Sequence, residues 1–186
     1  MEQGWEQAGK CESQALPALS DQEVAQAMLD HHYVESPQWQ GECRETTSLV
    51  RVDSNLLRKL KQQSGNGLLT RLIARLHEIA QLTVNLIPSN TREGARTLGE
   101  RRDVGVGQVA AARGQLVHRV ELDKDDRVED YRILAPTEWN FHPAGVVSRA
   151  LSALRGSAEQ IEQQARLLIT AIDPCVGYEL RLLENG

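Results

Sequence analysis

Residues 103–134 read DVGVGQVAAARGQLVHRVELDKDDRVEDYRIL, and the way this run folds decides the architecture of the chain. The middle of it alternates. Leu116, His118, Val120 and Leu122 share one face of an extended segment, and their neighbours point the other way. KDDR at 124–127 turns the chain and VEDYRIL at 128–134 returns, which predicts an antiparallel hairpin. The opening part, with Gly105 and Gly107, is small and glycine-punctuated and reads as a flexible stretch leading to Arg113.

Helical patterns flank this hairpin on both sides. Downstream, APTEWNFHP at 135–143 is irregular and held between two prolines. A helix is expected at 145–154 and another at 157–171, where Ser157 and Gln160 form a capping box; the second should stop in front of Asp173-Pro174-Cys175. Upstream, LLTRLIARLHEIAQLTVNLI at 68–87 is the longest periodic segment. Leu69, Leu72, Ile73, Leu76, Ile79 and Ala80 make one apolar face, Arg71, Arg75, Glu78 and Gln81 the other side, and Pro88 closes the helix. His77 reads as a boundary or surface residue. A shorter helix at 54–63 stops at SGNG, and another begins at Ser20, with Glu23 completing its capping box, before Pro37 and Gly41 break the pattern. Residues 1–20 are polar, contain Gly4, Gly9 and Pro17, and are expected to be poorly ordered; residues 21–186 read as a single domain. The fold class is α+β, helix-dominated, with a small antiparallel β element.

With 186 residues the chain can bury roughly 70% of its unfolded surface in one core. A net charge of −5, with no basic stripe interleaved with aromatics, argues against nucleic acid as a partner. No run of about 18 apolar residues predicts membrane insertion, and the first 20 residues lack the basic-then-apolar order of a signal peptide. A cytoplasmic location is the expectation. Cys11, Cys43 and Cys175 are too widely spaced for a CxxC framework and are expected to be free thiols. Taken singly, each reads as a small buried hydrophobe or an inert surface thiol. Gly105-Val106-Gly107 is no dinucleotide fingerprint, since Ala110 stands where the third glycine belongs, and no GK[ST] is present.

Asp173-Pro174-Cys175 carries more chemistry. Pro174 disfavours helix at the preceding residue, so Asp173 is expected to be extended and Cys175 to emerge at a fixed exit from the helix. A thiol held this way suits metal ligation or nucleophilic work when a positive charge lies near it, and Arg113 is the candidate charge. An enzyme using Cys175 as nucleophile, with His118 or His142 as base, is the competing reading.

In order along the chain, ETTSLVR (45–51), GVGQVAAARGQLVH (105–118), YRILAPTEWNFHP (131–143) and DPCVGYEL (173–180) resemble the C-terminal half of the large subunit of nickel-iron hydrogenases. That family shows E-x-G-x-L-x-R, then G-x-G-x-x-E-A-x-R-G-x-L-x-H, then P-T-x-W-N, then D-P-C-x-x-C-x-x-H, and the likeness spans about residues 36–180. In the enzyme, as the resemblance implies, two CxxC pairs hold nickel, and two of those thiolates bridge to an iron carrying cyanide and carbon monoxide. Here Cys175 matches the first cysteine of the C-terminal pair, Tyr178 the second and Arg181 the following histidine. The N-terminal pair has no counterpart, as expected either of the C-terminal part of a longer protein or of a natural short form. Ala110 stands where the family has Glu, Ala112 where it often has Pro, and Thr47 where it has Gly.

A nickel site needs soft thiolates that these positions no longer supply, so no hydrogenase activity and no catalytic residue is expected. The pattern resembles hydrogenase expression/formation proteins of the HupK/HoxV type, regarded as maturation scaffolds or chaperones. The resemblance implies Cys175 as the metal ligand for a transiently bound Fe(CN)2CO unit, with no complete nickel site. Arg113 and His118 are the cofactor-binding candidates: the guanidinium can donate to cyanide nitrogens, and His118, like Thr137, Trp139 and Asn140, matches a block position around the site. Trp139 reads as an aromatic wedge between helices. The expected partners are hydrogenase maturation proteins and the hydrogenase large subunit. The competing implication is an interaction module that mimics the large subunit and binds no metal.

Overall fold

The computed structural model describes residues 4–84, 96–97 and 103–183, with the helices Asp21–Ala27 and His31–Glu35 packed on the antiparallel sheet. A single 3-10 turn, Trp5–Gln7, is followed by β1 (Gln14–Ala15), α1 (Asp21–Ala27), α2 (His31–Glu35), β2 (Arg44–Glu45), α3 (Ser48–Arg51), α4 (Asn55–Ser64) and α5 (Leu68–Val84). Then come β3 (Arg96–Thr97), β4 (Val104–Ala111), β5 (Gly114–Leu122), β6 (Val128–Leu134), α6 (Pro136–Asn140), α7 (Val146–Ser152) and α8 (Ala158–Ile172). The main sheet is antiparallel in the order β3-β4-β5-β6, and β1 pairs in parallel with β2. The α+β, helix-dominated class expected from the sequence is the one observed.

Local signals set the helix starts. Ser20 accepts the Glu23 N–H while the Glu23 carboxylate accepts the Ser20 N–H, and Ser157 and Gln160 do the same for α8. Ser54 caps α4. The first helix is broken in two because Asp30 accepts the His32 N–H and so starts α2. The expected close of α5 at Pro88 lies outside the described residues.

β4 corrects the sequence reading. The stretch taken as flexible is a regular strand, paired with β5 from Val104↔Glu121 to Ala111↔Gly114. Its glycines and alanines hide the alternation, but Val104 and Val106 are buried on the inner face. On that face Val24 of α1 and Met28, its C-cap, pack against Val106, Val117, Leu134 and Trp139. Trp139 is 1% exposed and meets Tyr33 edge-on at 6.0 Å, the wedge its sequence position suggested. The inner face of β5 carries Val117 and Arg119; the alternating set Leu116, His118, Val120 and Leu122 lies on the outer face. Buried Arg119 is tolerated because Glu121 and Asp130 pair with it at 2.7 and 2.9 Å.

Residues 4–20, for which composition suggested poor order, instead supply buried Ala8, which packs with Leu68, Leu154, Ala165 and Ala171, and the strand β1. The buried stripe of α5 coincides with the apolar face only in part: Leu72 and Ile73 pack against the core clusters, but the end of that face does not. Leu68, Thr70, Arg71 and Ala74 face inward, while Leu76 and Ile79 are 62% and 50% exposed. The cause is electrostatic. Arg71 makes an ion pair with Glu45 in which both side chains are sealed from solvent, and Glu78 pairs with Arg51. These partners turn the polar side of the helix toward the protein. No described helix is long and apolar enough to cross a membrane.

Candidate functional site at the Arg113 hairpin and Cys175

Four segments far apart in the chain converge on the β4–β5 turn, formed by Ala112 and Arg113. Arg51, at the end of α3, donates to the carbonyls of Thr46 and Ala111 at 3.1 and 3.0 Å and to that of Ala112 at 3.1 Å. Glu78 holds the same guanidinium at 3.0 and 2.8 Å. From α6, the Asn140 amide accepts the Thr46 N–H at 2.9 Å and donates to the Arg113 carbonyl at 3.2 Å. Gly114 closes the turn at φ +142°, where a Cβ would lie 2.2 Å from Thr46 Oγ1 and 3.0 Å from Pro136 Cβ. Glycine is therefore required there on two counts, backbone and space.

Beneath this junction lies the Glu45–Arg71 pair. Burial alone would raise the Glu45 carboxyl, but the Arg71 charge and hydrogen bonds from Arg71, Ser13 and Thr47 outweigh it and hold the pKa below the ordinary Glu value. Thr47 thus has a local use in place of the expected glycine: its hydroxyl donates to Glu45.

The fourth segment brings Cys175. α8 ends where expected, but Asp173 is left-handed (φ 65°, ψ 82°), not extended. This geometry costs a residue with a side chain on the order of 1 kcal/mol, which its bonds offset. The Asp173 N–H donates to Ile169 O at 2.8 Å, and the carboxylate accepts Arg75 at 2.8 Å and Arg113 Nε at 3.1 Å. Arg113 and the Cys175 loop are thereby joined through Asp173. The Cys175 N–H reaches Thr137 Oγ1 at 3.4 Å, and the thiol and Tyr178 are exposed.

His118 is not gathered into this group. Its Nδ1 lies 2.5 Å from the Tyr131 hydroxyl across β5 and β6, and no described contact joins it to Arg113 or Cys175. Gly105 and Gly107 likewise pair opposite Val120 and His118, up the strand from the turn, so they do not offer bare backbone to the thiol. His142 is engaged elsewhere too. Its Nδ1 accepts the Ala144 N–H at 3.0 Å and lies 3.2 Å from Cys43 Sγ, so Nε2 carries the proton donated to Ser36 Oγ at 2.7 Å. Neither histidine is set as a base for Cys175. Burial, then the Arg149 and His32 charges, keep the His142 pKa below the usual range, and burial raises that of Cys43. Cys11 and Cys43 line a separate cleft of about 960 Å³ with Lys10, Lys61, Asn66 and Arg149.

Among the described residues no group of three or more His, Cys, Asp or Glu side chains is placed to hold a metal. The donor set at Cys175 does not fit nickel, which needs several soft ligands. Beside the exposed Cys175 thiol, the described link is from Asp173 to the Arg113 guanidinium.

Residues 55–177 match the family model for nickel-dependent hydrogenase. The chain belongs to this family. It is 35% identical over 180 residues to the hydrogenase expression/formation protein HupK of Rhizobium leguminosarum bv. viciae, covering 91% of this chain and 46% of HupK. It is 34% identical over 168 residues to the hydrogenase expression/formation protein HoxV of Cupriavidus necator, covering 80% and 40%. The chain thus spans about half the length of the curated relatives it matches. The Ni-Fe-Se hydrogenase of D. vulgaris Hildenborough superposes with a TM-score of 0.51 at 22% identity, over 75% of this chain and 36% of that one, and so shares its fold.

Sequence reasoning named Arg113 and Cys175 as candidates but did not see the Asp173 carboxylate that links Arg113 to the Cys175 loop. The contacts that tie Arg51, Arg75 and the Asp173 carboxylate to the Arg113 turn and the end of α8 span 60 residues or more, so this linkage was not readable locally. The family blocks that end in Arg51 and begin at Asp173 gave a signal for those two residues, and nothing did for Arg75.

Proposed function

We propose that this protein is a non-catalytic hydrogenase maturation factor that works in the cytoplasm as a scaffold or chaperone for the Fe(CN)2CO unit. The unit is cargo, received from hydrogenase maturation proteins and passed to the nickel-iron hydrogenase large subunit. Cys175 is its thiolate anchor and Arg113 donates hydrogen bonds to its cyanides. The observation that carries this reading is the single exposed thiol joined to Arg113 through Asp173, with no second soft ligand described beside it. One thiolate holds less firmly than a chelating set, and a hand-over protein needs both capture and release. His118 belongs to the supporting sheet in this scheme, since its partner is Tyr131.

The test is infrared spectroscopy of protein purified anaerobically from a host that has the maturation machinery. Cyanide and carbonyl bands are expected in the wild type, absent in Cys175→Ser, and shifted in Arg113→Ala as hydrogen bonds to cyanide are lost. Hydrogenase maturation should fail in Cys175→Ser. Bands and maturation unchanged in that variant would sink the anchor. Absent bands with normal maturation would leave a module that docks maturation proteins without metal, for which exposed Leu76, Ile79 and Leu82 on α5 offer an apolar surface.

A further inference from the structure

We infer that Arg75 is a positioning residue for the Cys175 loop, acting through Asp173 without touching the thiol; the inference rests on the reading of Cys175 as anchor. The sequence places Arg75 on what looks like the solvent side of α5. In the structure its guanidinium crosses to the end of α8, donating to Thr170 O at 2.6 Å and to Asp173 Oδ2 at 2.8 Å. One side chain thus caps an unsatisfied helix carbonyl and grips the residue that leaves the helix. Asp173 needs that grip. Pro174 favours an extended residue before it, whereas the observed turn is left-handed. In the left-handed turn the same oxygen that meets Arg75 also meets Arg113 Nε at 3.1 Å. Freed from Arg75, Asp173 relaxes toward the extended form, its carboxylate leaves Arg113, and Cys175 leaves Thr137. Arg75 therefore sets where the thiol emerges relative to Arg113, and through it how the cargo is held.

The experiment is amide hydrogen exchange on the full chain, which needs no cargo and so stands or falls separately from the anchor reading. Wild type is compared with Arg75→Gln, Arg75→Lys, Asp173→Asn and the Arg75→Gln/Asp173→Asn double variant. Arg75→Gln is expected to speed exchange at the hydrogen-bonded amides of Asp173 and Cys175 roughly tenfold, the loss of a charge-assisted bond, while the interiors of α5 and α8 stay protected. Arg75→Lys should recover part of the protection. The double variant should exchange no faster than the faster single one, because both break the same link. Unchanged exchange at Asp173 and Cys175 would overturn the inference. So would loosening spread through α5 and α8, no recovery with lysine, or additive effects in the double variant. Should Arg75→Gln fail to fold, the comparison of Arg75→Lys with Asp173→Asn decides in the same way.

Discussion

Asn140 holds Arg113 by its backbone: the side-chain amide donates to the Arg113 carbonyl at 3.2 Å and accepts the Thr46 N–H at 2.9 Å on its other side. The Arg113 side chain stays half-exposed, with its Nε paired to Asp173, while its main chain is fixed. Asn140→Ala removes both bonds in a buried setting and strands the Thr46 N–H. The expected loss is about 2 kcal/mol or more, read as a lower denaturant midpoint. Asn140→Asp keeps the acceptor but not the donor, and should fall between the two.

The Glu45–Arg71 pair predicts an asymmetric response. Removing one partner leaves an uncompensated buried charge, so Arg71→Leu is expected to cost about 3–5 kcal/mol. Arg71→Leu combined with Glu45→Leu should recover a large part of that loss, since no uncompensated charge stays buried, though the Thr47 hydroxyl loses its acceptor. Denaturant unfolding of the two singles and the double measures this. The pH dependence follows from the lowered Glu45 pKa. The pair's contribution is complete above the ordinary Glu value of 4.5 and is lost as pH falls through the lower folded value. The wild type should therefore lose stability in acid more steeply than the double variant.

Those two residues also show where a sequence stops being readable. Capping at Ser20 and Ser157 and the β5–β6 hairpin were legible because each depends on neighbours a few positions away. The buried side of α5 was not. Its period is helical, but the decision to turn Arg71 and Glu78 inward is made by Glu45 and Arg51, 26 and 27 residues upstream. β4 was missed because its glycines and alanines carry little hydrophobic contrast, so its strand is fixed by pairing with β5. At the site, the family blocks brought out Arg113 and Cys175, whereas the left-handed Asp173 that joins them runs against the local preference set by Pro174.

His142 gives a pH prediction of its own. Its pKa is lowered from 6.5 in the fold, mainly by burial. Unfolded chains therefore bind a proton that the folded protein resists. The stabilising effect of keeping this ring neutral is whole above pH 6.5 and declines as pH drops below it, toward the folded value. His142→Gln should flatten this part of the stability–pH profile, above the acid region assigned to Glu45. If the slope below pH 6.5 is the same in both proteins, it comes from another group.

The cysteines should separate by reactivity. Cys175 is exposed, Cys11 half-buried, and Cys43 is buried against His142. Under native conditions a bulky thiol reagent should label Cys175 first and leave Cys43 until the chain unfolds. Burial also raises the pKa of both Cys11 and Cys43, which lowers their thiolate fraction and widens the difference. Mass spectrometry of the labelled peptides over time checks the order, and early labelling of Cys43 would contradict the buried thiol–imidazole contact.

Gly114 supplies the sharpest test of how the hairpin is seated. At φ +142° a side chain is disfavoured by the backbone itself, and the added Cβ would fall 2.2 Å from Thr46 Oγ1. Neither neighbour can give way cheaply. Thr46 is held by Asn140 through its N–H and hydroxyl, and Pro136 begins α6. Gly114→Ala therefore has to lift the turn, breaking the Asn140 bond to Arg113 and the Arg51 bonds to Ala111 and Ala112. The expected cost is about 2–3 kcal/mol, the sum of backbone strain and overpacking. Because the lift moves Arg113 from Asp173, amide exchange should rise at 112–114 and at 173–178 together, although those segments are far apart in the chain. Gly41→Ala makes the control: its φ is +74° but a Cβ there meets nothing within 4 Å. It should cost only the backbone term and leave the Cys175 loop as protected as in the wild type. Equal effects of the two substitutions would mean that the contact between Gly114 and Thr46 does not seat the hairpin.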